Sequence, residues 1–378
     1  MSWRLIVLTA CLAACDGKGW LRESHILVNG FLETNEDCRD WLCDHDENTD
    51  LTTYDGAIFL VHRTAESQVL GPNSSLHVYR SDDNGDTFHV IAIIPAPTDR
   101  DLRDPCFYVM PDGSLAIKAI TRLPVTSDRD SNVDSISINT VSPDAGMTWG
   151  PLTPIGPEQW SFWRVRQGAD GTYYSAAYHD GDTSVSLFSS IDGQTWNLGA
   201  QVYGISDDTP VETELVFLPS GNLLAFVRMD GTNDELLGSM GRLRTKVCTA
   251  PPPYAAFDCT YELDGARLDG PLAFFWNKRL FFVARFHFLE TQNRKRTDLY
   301  EITYKNETGP FEFIDHGHFP SAGDTSYAGI VPIPVGDPKT SQFLVSYYSS
   351  NLEEDPPWAR AILGPTDIWT AKIDLANL

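Results

Sequence analysis

The chain alternates short apolar stretches with tight turns, and helical spacing of apolar positions is scarce. In each clear unit a short segment leads into the turn, and a second segment rich in β-branched and aromatic residues follows it. The clearest units read TTYDGAIFLVHR, FYVMPDGSLAIKAI, RQGADGTYYSAAY, LVFLPSGNLLAFVR and LAFFWNKRLFFVAR. This pattern predicts antiparallel hairpins and an all-β chain.

The turns recur at intervals of 50 to 58 residues. The turn position is occupied by Gly56, Gly113, Gly171, Gly221 and Lys278. A sixth unit, YAGIVPIP followed by FLVSYYSS, has a longer turn that contains Pro338. Six units of this length, each able to form a four-stranded sheet, predict a six-bladed β-propeller. A pair of β-sandwiches is the competing layout, but it does not explain so regular an interval.

An octapeptide with Gly fifth, Thr seventh and an aromatic residue eighth occurs at 81–88, 142–149 and 189–196. In the third copy the aspartate is shifted by one place, to Asp192. The serine hydroxyl and the aspartate carboxylate can accept backbone N–H bonds within a hairpin turn, and glycine permits positive φ. We therefore expect a structural role for this repeat.

The first residues have the form of an export signal. Arg4 precedes an apolar run at 5–10 and the string LAAC at 12–15, a stretch too short to span a bilayer as a stable helix. LAAC resembles the lipobox of bacterial lipoproteins, in which the cysteine becomes the lipidated first residue. We expect a lipoprotein signal peptide at 1–14, lipidation of Cys15, a linker at 15–27 and a propeller at 28–378. The alternative is an ordinary signal peptide that contains Cys15.

The remaining cysteines agree with export to an oxidising compartment. Two close pairs are plausible disulfides, Cys38 with Cys43 and Cys248 with Cys259. Cys106 is left over. A zinc site built from the first pair with His45 and Asp46 lacks a standard spacing, so we expect no metal and no cofactor.

The formal net charge is −24. Such a surface repels polyphosphates, so the sequence excludes nucleic acid as an expected partner. An anionic ligand would need a local cluster of arginines.

Three segments carry a resemblance to a known family. The octapeptide looks like the Asp-box of sialidases and related propeller glycosidases. The segment ETELVFLPSGNLLAFVR at 212–228 is similar to the sialidase segment that joins a catalytic glutamate to a substrate-binding arginine, and DTSYAGI at 324–330 falls where that family keeps its nucleophilic tyrosine. The segments TDL, DLRDP, GDTSYAGI and LVSYYSS look closer still to uncharacterised exported bacterial sialidase-like proteins.

The resemblance implies a propeller of sialidase type, with Tyr327 as nucleophile, Glu212 as its base and Arg228 as a substrate-binding residue. A tyrosine nucleophile suits a reacting carbon that bears its own carboxylate, because that carboxylate would repel an anionic nucleophile. The family's Arg-Ile-Pro segment has one similar string here, RDP at 103–105, which adds Arg103 to the binding candidates.

Equivalent positions in different blades face a common axis. Seven residues beyond the turn lie Arg63, Arg228 and Arg285, which we expect to converge on one carboxylate. Nine residues before it lie Asp104, Glu212 and Asp269. Such a mixed ring suits an anionic sugar. The alternatives are that each arginine pairs with an acid of its own sheet, or that salt bridges close the channel.

The general acid is open at this point. Asp50, Glu66 and Asp104 are candidates, and we favour Asp50 or Asp104. The acidic loop at 127–134 either supplies Asp130, binds Ca²⁺ or is solvated, and the last is favoured. Trp163 is the aromatic residue expected to stack on a sugar face.

These observations predict an exported, lipid-anchored glycoside hydrolase of sialidase type in the bacterial cell envelope. It would remove a terminal sialic acid or a similar acidic sugar from a glycan, as a monomer, with only a lipid anchor in the membrane. The alternatives are a lyase or glycosidase for uronic-acid sugars and a non-catalytic glycan-binding propeller.

We expect Cys15 to carry the lipid. Replacement of Cys15 by serine should abolish acylation, whereas the matched change Cys11→Ser should leave it intact, because only Cys15 ends the LAAC string. Mass spectrometry of the mature amino terminus decides the point. An unmodified terminus at another residue would remove the lipoprotein assignment.

Overall fold

A computed structural model describes residues 18–33, 35, 37–69, 71–123, 134–179, 183–204, 209–230, 243–288, 294–307 and 309–378. The expected signal peptide with Cys15, and Asp130, lie outside the described residues. The structure gives bounds for one α-helix, α1 (Trp358–Ala361), and two 3-10 turns, Gly30–Leu32 and Leu375–Asn377. None of the described helices has the length and apolar character needed to cross a bilayer.

Strands make up six antiparallel sheets arranged as the blades of a propeller of sialidase type. The first described strand is β1 (Leu21–Val28). The first blade contains β2 (His45–Tyr54), β3 (Ala57–Ala65), β4 (Ser75–Ser81) and β5 (His89–Pro95), and the second contains β6 (Asp101–Val109), β7 (Leu115–Arg122), β8 (Ile136–Ser142) and β9 (Thr153–Pro154). The third blade contains β10 (Trp160–Phe162), β11 (Arg166–Gln167), β12 (Tyr173–His179), β13 (Ser184–Ser190) and β14 (Asn197–Gly204).

The second half of the ring repeats this plan. The fourth blade contains β15 (Pro210–Phe217), β16 (Leu223–Met229), β17 (Arg244–Ala250) and β18 (Asp258–Asp264), and the fifth contains β19 (Asp269–Trp276), β20 (Arg279–Phe288), β21 (Arg294–Tyr304) and β22 (Phe311–His318). The sixth contains β23 (Thr325–Pro332), β24 (Gln342–Ser349) and β25 (Asp367–Asp374), with β1 at its outer edge. The predicted six-bladed all-β fold is confirmed.

The two ends of the chain close the ring together. Strand β1 pairs antiparallel with β25, from Leu21 opposite Ile373 to Val28 opposite Ile368. The expected boundary at 28 is therefore wrong, since most of the segment expected as a linker is a strand of the sixth blade. The reason is that Trp20 and Leu27 are buried, and β1 covers an edge of β25 that would otherwise be unpaired.

The turn between the first two strands of each blade shows why the repeat is visible in the sequence. Gly56, Gly113, Gly171 and Gly221 have φ between 75° and 93°. Lys278 adopts the same left-handed region at φ 66° in the fifth blade. Lys278 therefore occupies the equivalent turn position at a conformational cost that the glycines avoid.

The three octapeptides form the turns between the last two strands of the first three blades. In the first, the Ser81 hydroxyl accepts the Gly85 N–H at 2.9 Å and the Asp83 carboxylate accepts the Thr87 N–H at 2.8 Å. In the third, the serine that accepts from Gly193 is Ser190, not Ser189. The serine-to-aspartate spacing is thus kept, and the deletion lies between Asp192 and Gly193.

The cysteines of the two close pairs are bonded to each other, Cys38 to Cys43 and Cys248 to Cys259. A thiol in a disulfide is not a zinc ligand, so the zinc alternative built on Cys38 and Cys43 is excluded. Cys106 is a buried free thiol.

Hydrophobic side chains fill the wedges between neighbouring blades. One cluster joins the fifth and sixth blades and contains Trp20, Phe281 and Trp369. Trp20 packs edge-on against Phe319 at 5.1 Å and donates its indole N–H to the carbonyl of His316 at 2.9 Å. The residue just before β1 is thereby part of the core that closes the ring.

This packing predicts the outcome of two tryptophan substitutions. Trp20 is 3% exposed, and Trp20→Ala should lower the free energy of unfolding by about 3–5 kcal/mol because it opens a cavity. Trp41 is 59% exposed, and Trp41→Ala should change the free energy of unfolding by less than about 0.5 kcal/mol. Chemical denaturation measures both. Equal effects would contradict the role given to Trp20.

Candidate active site

The innermost strands of five blades each carry a β-bulge at an equivalent place. The register shifts fall between Glu47 and Asp50, Arg103 and Cys106, Pro210 and Thr213, Asp269 and Leu272, and Ser326 and Gly329. Four bulge residues have left-handed backbone, namely Asn48 (φ 54°), Asp104 (φ 49°), Gly270 (φ 56°) and Tyr327 (φ 49°). Bulges and strained residues of this kind concentrate at functional sites, so the bulged end of the propeller is the candidate site.

Tyr327 and Glu212 meet at this end, although they come from the sixth and fourth blades. The Tyr327 hydroxyl donates to one carboxylate oxygen of Glu212. The other oxygen accepts from Arg228 Nη1 at 2.9 Å and from the Gly270 N–H at 2.7 Å. Arg228 Nη1 also lies 3.3 Å from the Tyr327 oxygen, so one guanidinium contacts both partners.

The surroundings keep the Tyr327 phenol neutral at rest. Burial raises its pKa well above the ordinary value, and the negative charge of Glu212 raises it further. The cations Arg228 and Arg285 act in the opposite direction. The guanidinium of Arg285 lies over the Tyr327 ring, 5.2 Å from its centre. Tyr327 therefore needs a base to take its proton before it can attack, and Glu212 is already bonded to that proton.

Trp163 forms an aromatic wall beside Tyr327. The two rings are edge to face with centroids 5.8 Å apart, and the Trp163 indole N–H donates to the carbonyl of Pro271 at 3.2 Å. Trp163 lines a small depression together with Tyr327 and Asp104. The structure thus brings the predicted tryptophan to the predicted nucleophile.

Arg63 and Arg103 belong to a buried cluster with Glu47 and Asp101. Arg63 donates to Glu47 at 2.5 Å and holds Asp101 with two bonds of 2.9 Å. Arg103 donates to the same two carboxylates at 3.2 Å. Burial by itself would raise the pKa of Glu47, but the charges of Arg103 and Arg63 outweigh it and hold that pKa well below its ordinary value. Arg63 therefore pairs with neighbouring acids, which is the alternative that the sequence left open.

Arg228 and Arg285 both contact Tyr327 and are also paired with carboxylates. Arg285 donates to Asp324 at 3.0 Å, to the Tyr348 hydroxyl at 2.9 Å and to a backbone carbonyl. Arg228 Nε contacts Asp230 at 2.7 Å and Asp269 at 3.1 Å. Of the three arginines expected to converge, Arg228 and Arg285 both contact Tyr327, whereas Arg63 pairs with Glu47 and Asp101. Their convergence on one carboxylate stays a prediction.

Asp269 pairs with Arg228 and with two further basic side chains. Arg267 holds it with two bonds of 2.7 Å, and His287 Nε2 lies 2.9 Å away. Burial would raise the pKa of Asp269, but Arg228 and Arg267 hold it well below the ordinary value. Arg267 was missed by sequence reasoning because it falls outside the turn-based count, although it stands only two residues before Asp269.

The two favoured acids differ in their surroundings. Asp50 is buried, and its oxygens accept from Arg164 at 2.6 Å and from the Phe107 N–H at 2.8 Å. Both oxygens are therefore committed to structure, and Asp50 is a poor proton donor. Asp104 is half-buried, accepts from Asn48 at 2.5 Å and lines the depression beside Tyr327. Asp104 is the acid that the geometry favours.

Lys118 binds the backbone of Asp104, a contact that the sequence did not predict. Its ammonium donates to the carbonyl of Asp104 at 3.0 Å and to that of Phe162 at 2.7 Å. Burial lowers its pKa. Lys118 lies in the apolar strand β7, where the sequence pattern gives no sign that a bulge carbonyl is the partner. Glu66, the remaining acid candidate, is exposed.

Comparisons with known proteins agree with this architecture. No protein-family model matches the chain. No curated protein matches its sequence. A protein of unknown function from Dyadobacter fermentans is 18% identical, with a TM-score of 0.65, and the match covers 94% of this chain and 98% of that one. The NanB sialidase of Streptococcus pneumoniae is 12% identical, with a TM-score of 0.63, over 92% of this chain and 70% of that one.

An α-L-arabinanase of Penicillium chrysogenum is 14% identical, with a TM-score of 0.57, over 89% of this chain and 96% of that one. The structural neighbours are thus sialidases and arabinanases. The fold is a sialidase-type propeller. At these identities the likeness establishes the fold alone.

The contrast between the two aspartates gives a stability prediction. Asp50→Asn should lower the free energy of unfolding by about 3 kcal/mol, because Arg164 loses its buried counterion. Asp104→Asn should lower the free energy of unfolding by less than about 1 kcal/mol, since Asp104 has partial access to solvent. Urea denaturation of both variants checks this. A larger loss for Asp104→Asn would reverse the assignment.

Proposed function

We propose that the protein is a glycoside hydrolase that removes a terminal sialic acid or a similar acidic sugar from a glycan. The observation that carries the proposal is the hydrogen bond from the Tyr327 hydroxyl to Glu212, made within a strained bulge and contacted by Arg228. The names of the structural neighbours support the reaction class, since they include a sialidase, an arabinanase and an α-L-arabinofuranosidase.

The reaction would follow a two-step retaining course. Glu212 takes the phenolic proton as the Tyr327 oxygen bonds to the anomeric carbon, and Asp104 gives a proton to the leaving oxygen as the glycosidic bond breaks. In the second step Asp104 takes a proton from water, which attacks the same carbon. Tyr327 then leaves and recovers its proton from Glu212.

The charges near Tyr327 suit an acidic sugar. A neutral phenol avoids the repulsion that a carboxylate nucleophile would meet at a carbon bearing a carboxylate. Arg228 contacts the Tyr327 hydroxyl and Arg285 lies over its ring, so two positive charges are close to the proposed nucleophile and would attract a sugar carboxylate. Trp163 supplies an apolar surface on the same side.

A second candidate is a hydrolase for a neutral sugar such as arabinofuranose. The observation that favours it is that Arg63, Arg103, Arg228 and Arg285 all pair with carboxylates of the protein itself. A sugar carboxylate would have to compete with those acids. A uronate-directed lyase would be recognised by an unsaturated product that absorbs in the ultraviolet.

We also propose that the protein works outside the cytoplasm, anchored through Cys15. The bonded pairs Cys38–Cys43 and Cys248–Cys259 support this, because disulfides persist mainly in oxidising compartments.

The variants Tyr327→Phe and Glu212→Gln should each lower kcat by a factor on the order of 10² or more, because each removes the nucleophile or its base. Tyr54→Phe is the matched control. Its hydroxyl donates to the carbonyl of Gly113, far along the blade from the bulges, and its kcat should be unchanged. The assay uses fluorogenic sialoside, uronide and α-L-arabinofuranoside substrates, with identification of the released sugar.

Release of free sialic acid supports the first proposal, and release of arabinose alone replaces it with the second. Near-normal turnover by a correctly folded Tyr327→Phe variant would exclude the mechanism for any substrate.

A further inference from the structure

Three buried side chains meet where the first blade joins the sixth. His45 and Glu47 come from β2, and Asp324 immediately precedes β23. All three are 0% exposed. One ligand atom from each residue lies within 4.8 Å of the others. Nitrogen and carboxylate oxygen atoms in such an arrangement are a metal-ligand set.

One buried side-chain atom of each residue has no hydrogen-bond partner among the described residues, namely His45 Nε2, Glu47 Oε2 and Asp324 Oδ2. His45 Nδ1 lies 2.7 Å from the carbonyl of Gly364. Because a carbonyl oxygen can only accept, Nδ1 carries the proton and Nε2 presents its lone pair to the cluster. A buried polar atom without a partner is costly, so three such atoms in one cluster are suited to hold an ion.

The rest of each carboxylate is held by other residues. Glu47 Oε1 accepts from Arg63 and Arg103. Asp324 Oδ1 accepts from Arg285 at 3.0 Å and from the Tyr348 hydroxyl and the Trp358 indole at 3.1 Å. These bonds fix both carboxylates and leave the second oxygen of each available, as the outer hydrogen bonds of metal sites do.

We propose that His45, Glu47 and Asp324 bind a divalent transition metal of the zinc class. His45 Nε2 lies 3.4 Å from Glu47 Oε2. Two ligands of a tetrahedral ion at about 2.0–2.1 Å from the metal are separated by roughly 3.4 Å. One imidazole and two carboxylates suit such an ion, whereas Ca²⁺ takes six or more oxygen ligands.

The site would join the first blade of the propeller to the last. Its ligands belong to the first and last blades, and Asp324 also holds Arg285, whose guanidinium covers the Tyr327 ring. The ion would therefore stabilise the closed ring and position Arg285. This inference is independent of the proposed reaction, because it concerns metal content and stability.

The full chain with its disulfides intact should contain about one zinc ion per molecule by elemental mass spectrometry. Prolonged incubation with a chelator should lower Tm by about 3 °C or more, and added Zn²⁺ should restore it. His45→Gln and Glu47→Gln should fold, lose the metal and lose the response of Tm to chelator. His316→Gln is the matched control, since His316 Nε2 pairs with Glu301 at 3.1 Å in the fifth blade. This variant should keep the metal and the response of Tm to chelator.

Several outcomes would overturn the assignment. One is a protein that holds no metal and whose Tm does not respond to Zn²⁺ or Mn²⁺. Another is binding of Ca²⁺ alone, which would exclude the zinc class. A metal-independent Tm that falls as pH rises through neutrality would show that a His45 imidazolium bridges the two carboxylates. Glycosidase activity is not a readout in any of these measurements, so failure here leaves the proposed reaction untouched.

Discussion

The pairing of β1 with β25 is the constraint on which the rest of the structure depends. Strand β1 completes the last blade and so closes the ring of six twisted sheets around one axis. Closure brings the inner strands of all blades within reach of one another. It places Tyr327 of the sixth blade beside Glu212 of the fourth, and His45 of the first beside Asp324 of the sixth.

Closure also gathers charge into the interior. The chain has 28 basic and 52 acidic residues, yet many of its arginines lie at the centre, each with one or more carboxylates. Ionised groups leave water at a large cost, and close pairing with additional hydrogen bonds offsets that cost. Arg63 with Glu47 and Asp101, and Arg267 with Asp269, are such groups. They make the inner ends of the blades rigid, which is what a site built across several blades requires.

The bulges place the candidate catalytic residues on this rigid ring. A regular inner strand would point alternate residues into the packed faces of the blade, whereas a bulge turns one extra residue out of the ladder. Asp104 and Tyr327 both occupy left-handed backbone at such bulges. The strain is sustained by contacts from other blades, through Asn48 on Asp104 and Glu212 on Tyr327. The same surroundings keep the phenol neutral until a base removes its proton.

Local properties of the sequence were enough for the fold. The turn glycines, the octapeptides and the apolar strands act over a few residues, so their spacing predicts six blades. Counting a fixed number of residues from the turn position finds Arg228, Glu212 and Asp104. The sequence also predicted the meeting of Tyr327 and Glu212, through resemblance. It could not show that Asp50 is held by Arg164, that Arg63 is enclosed by Glu47 and Asp101, or that His45 faces Asp324. Those partners lie in different strands, and mostly in different blades, so only the closed ring decides which charges meet.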